Sequence, residues 1–122
     1  MKKRAAIVTG TSGGIGSAIG KALMQEGWLV IGINRSDTDT DCCDHLVRYD
    51  LSRCENEQEF SQDCIGEIRR LVGDVPILAL VNNSATQILS ATDDILLDDW
   101  QKSLAVNLTA PLLLSRAMVS EL

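Results

Sequence analysis

The stretch Ala5-Ala6-Ile7-Val8-Thr9-Gly10-Thr11-Ser12-Gly13-Gly14-Ile15-Gly16 decides the fold. An apolar run without alternation reads as a strand buried on both faces. The glycine cluster after it is a turn that brings the backbone close to something. From Ile15 to Glu26 the apolar residues Ile15, Ala18, Ile19, Ala22 and Leu23 recur at helical spacing, and Gly27 stands where a helix C-terminus favours glycine. Strand, glycine turn and helix in this order form an anion-binding unit. Glycines allow the tight turn and the approach of backbone amides to a pyrophosphate, and the helix N-terminus faces its charge. A phosphate-loop NTPase requires Gly-Lys followed by Ser or Thr, whereas Gly20-Lys21 is followed by Ala22 and lies inside the helix.

The same alternation continues along the chain. Trp28 to Ile33 reads as a second apolar strand, 36–45 as an acidic solvated loop, and Leu46 to Tyr49 as a short third strand. Ser52-Arg53-Cys54-Glu55 has capping-box spacing and announces a helix running to about Val72, with Phe60, Cys64, Ile65, Ile68, Leu71 and Val72 facing inward. Pro76 introduces Ile77-Leu78-Ala79-Leu80-Val81, which reads as an interior strand covered on both faces. After a polar stretch from Asn82 to Asp94, a helix starting at Asp98 or Asp99 carries Trp100, Leu104, Leu108, Leu112 and Ser115 on its apolar face, with a kink at Pro111. Strands alternating with helices predict an α/β, Rossmann-type doubly wound parallel sheet, incomplete and ordered 3-2-1-4.

Composition bounds the function. The 122 residues suit one domain, 1–122, and with aromatic residues at 3% its core is aliphatic. The net charge of −6 repels phosphate backbones and excludes non-specific nucleic-acid binding. The four cysteines, Cys42, Cys43, Cys54 and Cys64, form no CxxC pair and read as free thiols in a reducing compartment rather than a metal site. No apolar stretch approaches the ~20 residues of a membrane span, and Met1-Lys2-Lys3-Arg4 precedes too short an apolar run for a signal peptide. A cytoplasmic protein without membrane contact is the expectation.

Thr9-Gly10-(x)3-Gly14-Ile15-Gly16 resembles the TGxxxGIG signature of the short-chain dehydrogenase/reductase family. Asp50-Leu51 after the third strand, Asn82-Asn83-Ser84-Ala85 after the fourth, and Trp100 followed by Val106-Asn107-Leu108 resemble further motifs of that family at its spacing. The resemblance covers essentially the whole chain and implies its N-terminal, cofactor-binding half. It implies that Gly10, Ser12, Gly14, Ile15 and Gly16 cradle the phosphates and adenosine ribose of a nicotinamide dinucleotide. Asp50 would accept from the adenine amino group and Leu51 border the ring, while Asn82, Ser84 and Ala85 would line the path to the nicotinamide. Asn107 would be the catalytic asparagine, bending its helix and holding a water of a proton relay. The implied activity is hydride transfer between a carbonyl and an alcohol.

The departures carry weight too. Ala85 stands where the family has glycine, and the acidic loop 36–45 replaces a helix. Neither a serine strand nor Tyr-x-x-x-Lys follows Asn107; the one tyrosine, Tyr49, has no lysine at the required spacing. A non-catalytic nucleotide- or partner-binding module is therefore the alternative. At the end of the second strand, where an acidic residue would bind ribose hydroxyls and select NAD, the chain has Asn34-Arg35. Arg35 can pair with a 2′-phosphate, which favours NADP, with NAD the alternative because the glycine loop has Gly13 where a second basic marker would stand. The unpaired side of the fourth strand and the apolar helix after Asp98 predict a homo-oligomer.

Overall fold

The computed structural model describes residues 1–36 and 41–122. Its strands are β1 (Ala5–Thr9), β2 (Leu29–Asn34), β3 (His45–Arg48) and β4 (Ile77–Val81), all parallel and ordered β3-β2-β1-β4 as the alternation predicts. Helix α1 spans Gly14–Gln25. Helix α2 runs through 57–72, wound as α-helix over Glu57–Glu59 and Gly66–Val72 and more loosely, as π-helix, over Phe60–Ile65. Helix α3 runs through 97–118, α-helical over Leu97–Leu104 and Ala110–Met118 with a π segment at Ala105–Thr109.

The sheet lies between two helical layers. On one face Ile7, Ile31, Ile33 and Val47 pack with Phe60, Cys64 and Ile68 of α2 and Ala110, Leu114 and Met118 of α3. On the other, Val8 and Val30 meet Ile19, Leu23 and Met24 of α1. Burial on both faces explains why β1 and β2 read as unbroken apolar runs. Helix α1 stops where Gly27 takes φ 84, a conformation open to glycine. There Trp28 N–H donates to Leu23 O and Gly27 N–H to Met24 O, turning the chain into β2.

Several expectations need correction. The packed stripe of α1 is Gly16, Ile19, Gly20, Leu23 and Met24, while Ile15 is 72% exposed and Ala18 and Ala22 face solvent. The α1 backbone approaches so closely that a Cβ on Gly20 would collide with the Cys42 carbonyl, so glycines mark the contact where larger apolar residues were expected. Ser52 does not cap α2: its own N–H donates to Asp50 Oδ1 in a 3₁₀ turn, Leu51–Arg53, and the cap is Asn56, whose Oδ1 accepts from Glu59 N–H. Strand β4 is not covered on both faces, because Leu78 is 50% exposed. The acidic loop 36–45 lies partly outside the described residues; in its described part Cys42 and Cys43 are buried, not solvated, and His45 already belongs to β3.

Helix α3 turns the apolar face read from the sequence outward. Its buried residues are Ala105, Val106, Ala110, Leu114 and Met118, whereas Trp100, Leu104, Leu108 and Leu112 are 51%, 38%, 66% and 64% exposed. Both stripes are apolar, and the burial of small Ala105 and Ala110 lets the helix sit close to the sheet. The irregularity expected at Pro111 is the π segment just before it; proline lacks an N–H and cannot close the bond to residue 107. Among the described residues no helix is long and apolar enough to cross a membrane.

Candidate dinucleotide site

The C-terminal ends of the strands open onto one cleft of about 890 Å³. Gly10 and Ser12 enter it from the glycine turn after β1, and Asn34 and Arg35 from the end of β2. Asp50 and Leu51 come from the turn after β3, Ser84 and Ala85 from the chain leaving β4. A crevice outside the carboxyl ends of parallel strands is where doubly wound sheets bind ligands. It is also large enough for a cofactor-sized molecule.

The glycine turn is built for close approach. Gly10 has φ 71, and its N–H donates to Ile33 O at 2.9 Å, which ties the turn to β2. A Cβ on Gly16 would collide with the Gly10 carbonyl, so the first turn of α1 sits directly on the loop. A Cβ on Gly13 or Gly14 would meet nothing within 4 Å, so this side of the turn is open. The N-cap residue Gly13 offers no side-chain acceptor, and the first turn of α1 holds no acidic residue. Its N-terminal amides and positive dipole end are thus left for an anion.

The β4 side is fastened to the same turn. Thr9 Oγ1 accepts from Asn83 N–H at 2.9 Å and Ser84 N–H at 2.8 Å, and Asn83 Nδ2 donates to Gly10 O at 3.1 Å. Asn83, rather than its neighbour Asn82, supplies these ties and borders the cleft. Asn82, Gly14, Ile15 and Gly16 lie outside the cleft lining, the last three on α1 beside it. Asn107 stands in the π segment of α3. Its Oδ1 accepts from Thr86 N–H and its Nδ2 donates to Thr86 O, both at 2.8 Å, and Thr86 in turn lines the cleft.

Several lining residues were not singled out in the sequence, among them Tyr49 and Lys102. Tyr49 packs edge-on against Phe60 at 5.7 Å between centroids and donates to Arg53 O, and burial holds its phenol well above the usual tyrosine range, with the nearby Glu59 carboxylate adding to the shift. Lys102 and Val106 come from α3, whose cleft-facing side the apolar pattern had not identified. Arg53 closes a bidentate pair with Glu59 at 2.7 Å, whose carboxyl it holds below the usual range. The four cysteines are buried thiols, and burial raises Cys43 to about 11 and, with a contribution from Cys54, Cys64 to about 12.

Parallel β3-β2-β1-β4 order, a glycine turn opening α1 and a cleft at the strand ends define an α/β domain of Rossmann type. The family model described as short chain dehydrogenase matches residues 4–122, and the chain belongs to that family. A short-chain dehydrogenase/reductase of Talaromyces verruculosus, cdmF, is 35% identical over 118 residues, covering 93% of this chain and 44% of that protein. A Brucella ovis oxidoreductase of the family, solved with a partially ordered NAD, is 29% identical with a TM-score of 0.79, over 99% of this chain and 58% of its own. A Burkholderia cenocepacia short chain dehydrogenase in complex with NADP shares the fold at 24% identity and a TM-score of 0.82, over 99% of this chain and 51% of its own. The chain thus spans about half the length of the relatives it matches.

Proposed function

We propose that residues 1–122 form the dinucleotide-binding half of a cytoplasmic NAD(P)-dependent oxidoreductase that interconverts a small carbonyl compound and its alcohol. The observation carrying this reading is the open amide end of α1 beside a cleft that also gathers Arg35, Asp50 and the Asn83–Ala85 segment. Gly10, Ser12, Gly14, Ile15 and Gly16 would seat the pyrophosphate and adenosine ribose on backbone amides and the helix dipole. Asp50 would accept from the adenine amino group and Leu51 would cover the ring. Asn82, Ser84 and Ala85 would border the path to the nicotinamide, which supplies the hydride when bound. Asn107 would hold its helix turn and the Thr86 peptide in register beside that path.

NADP is the proposed nucleotide. Arg35 stands at the end of β2 on the cleft, where a guanidinium pairs with a 2′-phosphate in bidentate fashion. Calorimetric titration with NADPH and NADH tests the proposal, with Arg35→Asp as the variant. NADPH should bind more tightly than NADH, and the substitution should remove that preference by deleting the partner and adding a like charge. Absence of binding by either nucleotide would overturn the cofactor reading; equal loss for both would remove Arg35 from the selecting role.

A further inference from the structure

Resting on that cofactor reading, the geometry points to a role for Asn34 different from reading the ribose: we propose that Asn34 is a positioning residue that clamps Thr11, so that the Ser12 N–H faces the phosphate. Asn34 ends β2 and is buried, and its Nδ2 donates to Thr11 Oγ1 at 2.9 Å. Thr11 is itself 1% exposed, its hydroxyl packed against Gly32, where an added Cβ would lie 2.6 Å from Oγ1. A second anchor holds the other end of the same residue: Cys42 Sγ–H donates to Thr11 O at 3.1 Å. A trans peptide places its N–H opposite its C=O. With the Thr11 carbonyl held on buried Cys42, the Ser12 N–H is turned the other way, and Ser12 lines the cleft.

The neighbouring bond, Gly10 N–H to Ile33 O at 2.9 Å, fastens the preceding residue to the same strand end. The last two residues of β2 therefore hold two successive residues of the phosphate turn, one through backbone and one through a side chain. The Asn34 amide nitrogen holds this tie, while the Asn34 backbone carbonyl accepts from Tyr49 N–H at 2.7 Å. Selection at the 2′ position is left to Arg35, whereas Asn34 acts on the pyrophosphate common to both nucleotides.

The test measures Kd for NADPH and NADH on the 122-residue chain with Thr11→Val, Thr11→Ser, Asn34→Ala and the Thr11→Val/Asn34→Ala pair. Loss of one buried neutral hydrogen bond predicts that Thr11→Val and Asn34→Ala each weaken both nucleotides by the same factor, roughly three- to tenfold. The double variant should be no weaker than the worse single one, because both remove the same bond. Thr11→Ser keeps the hydroxyl and should restore wild-type affinity, and the NADPH-to-NADH ratio should stay constant throughout. If Thr11→Val fails to fold, Asn34→Ala carries the comparison, since it leaves Thr11 on Gly32. A shifted ratio in Asn34→Ala, or unchanged affinity in both single variants, would overturn the positioning role while leaving the cofactor reading standing. Wild-type protein that binds neither nucleotide would overturn both.

Discussion

Replacing Asn107 by aspartate changes one NH2 group to an oxygen and leaves the shape of the side chain alone. The Thr86 peptide identifies each half of the carboxamide, because its N–H needs an acceptor and its C=O a donor, both met at 2.8 Å. The substitution keeps the acceptor and sets a carboxylate oxygen against the Thr86 carbonyl. Loss of one hydrogen bond costs about 1 kcal/mol net, and the pair is exposed, which favours the lower end of the range even with the oxygen–oxygen repulsion added. A total of roughly 1–2 kcal/mol lowers Tm by about 4–8 °C for a domain of this size. The deficit has a pH signature. The neutral carboxyl can donate to Thr86 O again, so its pKa in the folded state is raised, and the deficit is present above that pKa and disappears as pH falls through it. Thermal melts of wild type and Asn107→Asp from pH 7 down to 4 read this as a difference, which cancels acid effects common to both. Equal Tm values at pH 7, or a gap that persists unchanged into acid, would refute the reasoning.

Three other outcomes are expected. In analytical ultracentrifugation the chain should self-associate as concentration rises, and Leu108→Lys with Leu112→Lys should shift it toward monomer; a wild-type compact monomer at every concentration would contradict the exposed-face argument. Residues 1–122 should turn over no common ketone or aldehyde with NAD(P)H, and turnover surviving rigorous purification would demand a proton donor other than Tyr-x-x-x-Lys. Stability should decline in alkali: Cys43 and Cys64 are raised from 9.0 to about 11 and about 12, mainly by burial, so their contribution is complete below pH ~9 and lost as pH rises through those values. Melts from pH 8 to 11 test this, and Cys64→Ala should flatten the decline; a Tm independent of pH in wild type would count against it.

Strands and their order were legible because β1, β2 and β4 are apolar runs between glycine, proline and polar stretches, and a right-handed crossover leaves few ways to connect them. Helix faces were harder. In α2 the inward residues Phe60, Cys64, Ile68 and Val72 recur every fourth position, a spacing the loosely wound segment Phe60–Ile65 helps keep on one face. In α3 two stripes recur at fours, and the bulkier one, with Trp100 and Leu108, is outside. The face against the sheet, Val106, Ala110, Leu114 and Met118 with Ala105, is the less bulky of the two, and side-chain size alone does not identify it. The cleft was legible where glycines and turn residues mark it, as at Gly10, Ser12 and Asp50. Its internal ties were not: Thr11 with Asn34 and Asn107 with Thr86 join residues 23 and 21 positions apart, and only the fold brings them together.

The pairing of β1 with β4 skips a residue, since Ala5 is opposite Ile77 and Ala6 opposite Ala79. Leu78 is the extra residue, bulged out of the ladder and half exposed. Among the described residues β4 is the outermost strand on its side, so the bulge bears on how that side can pair. Steric-zipper segments need six or seven residues of regular, flat pairing. Beyond Leu78 the regular part of β4 is Ala79-Leu80-Val81, and a bulge adds twist that turns an edge away from a flat template. A strand bulged in this way is a poorer template for stacking copies strand on strand, although the residues concerned are among the most apolar in the chain.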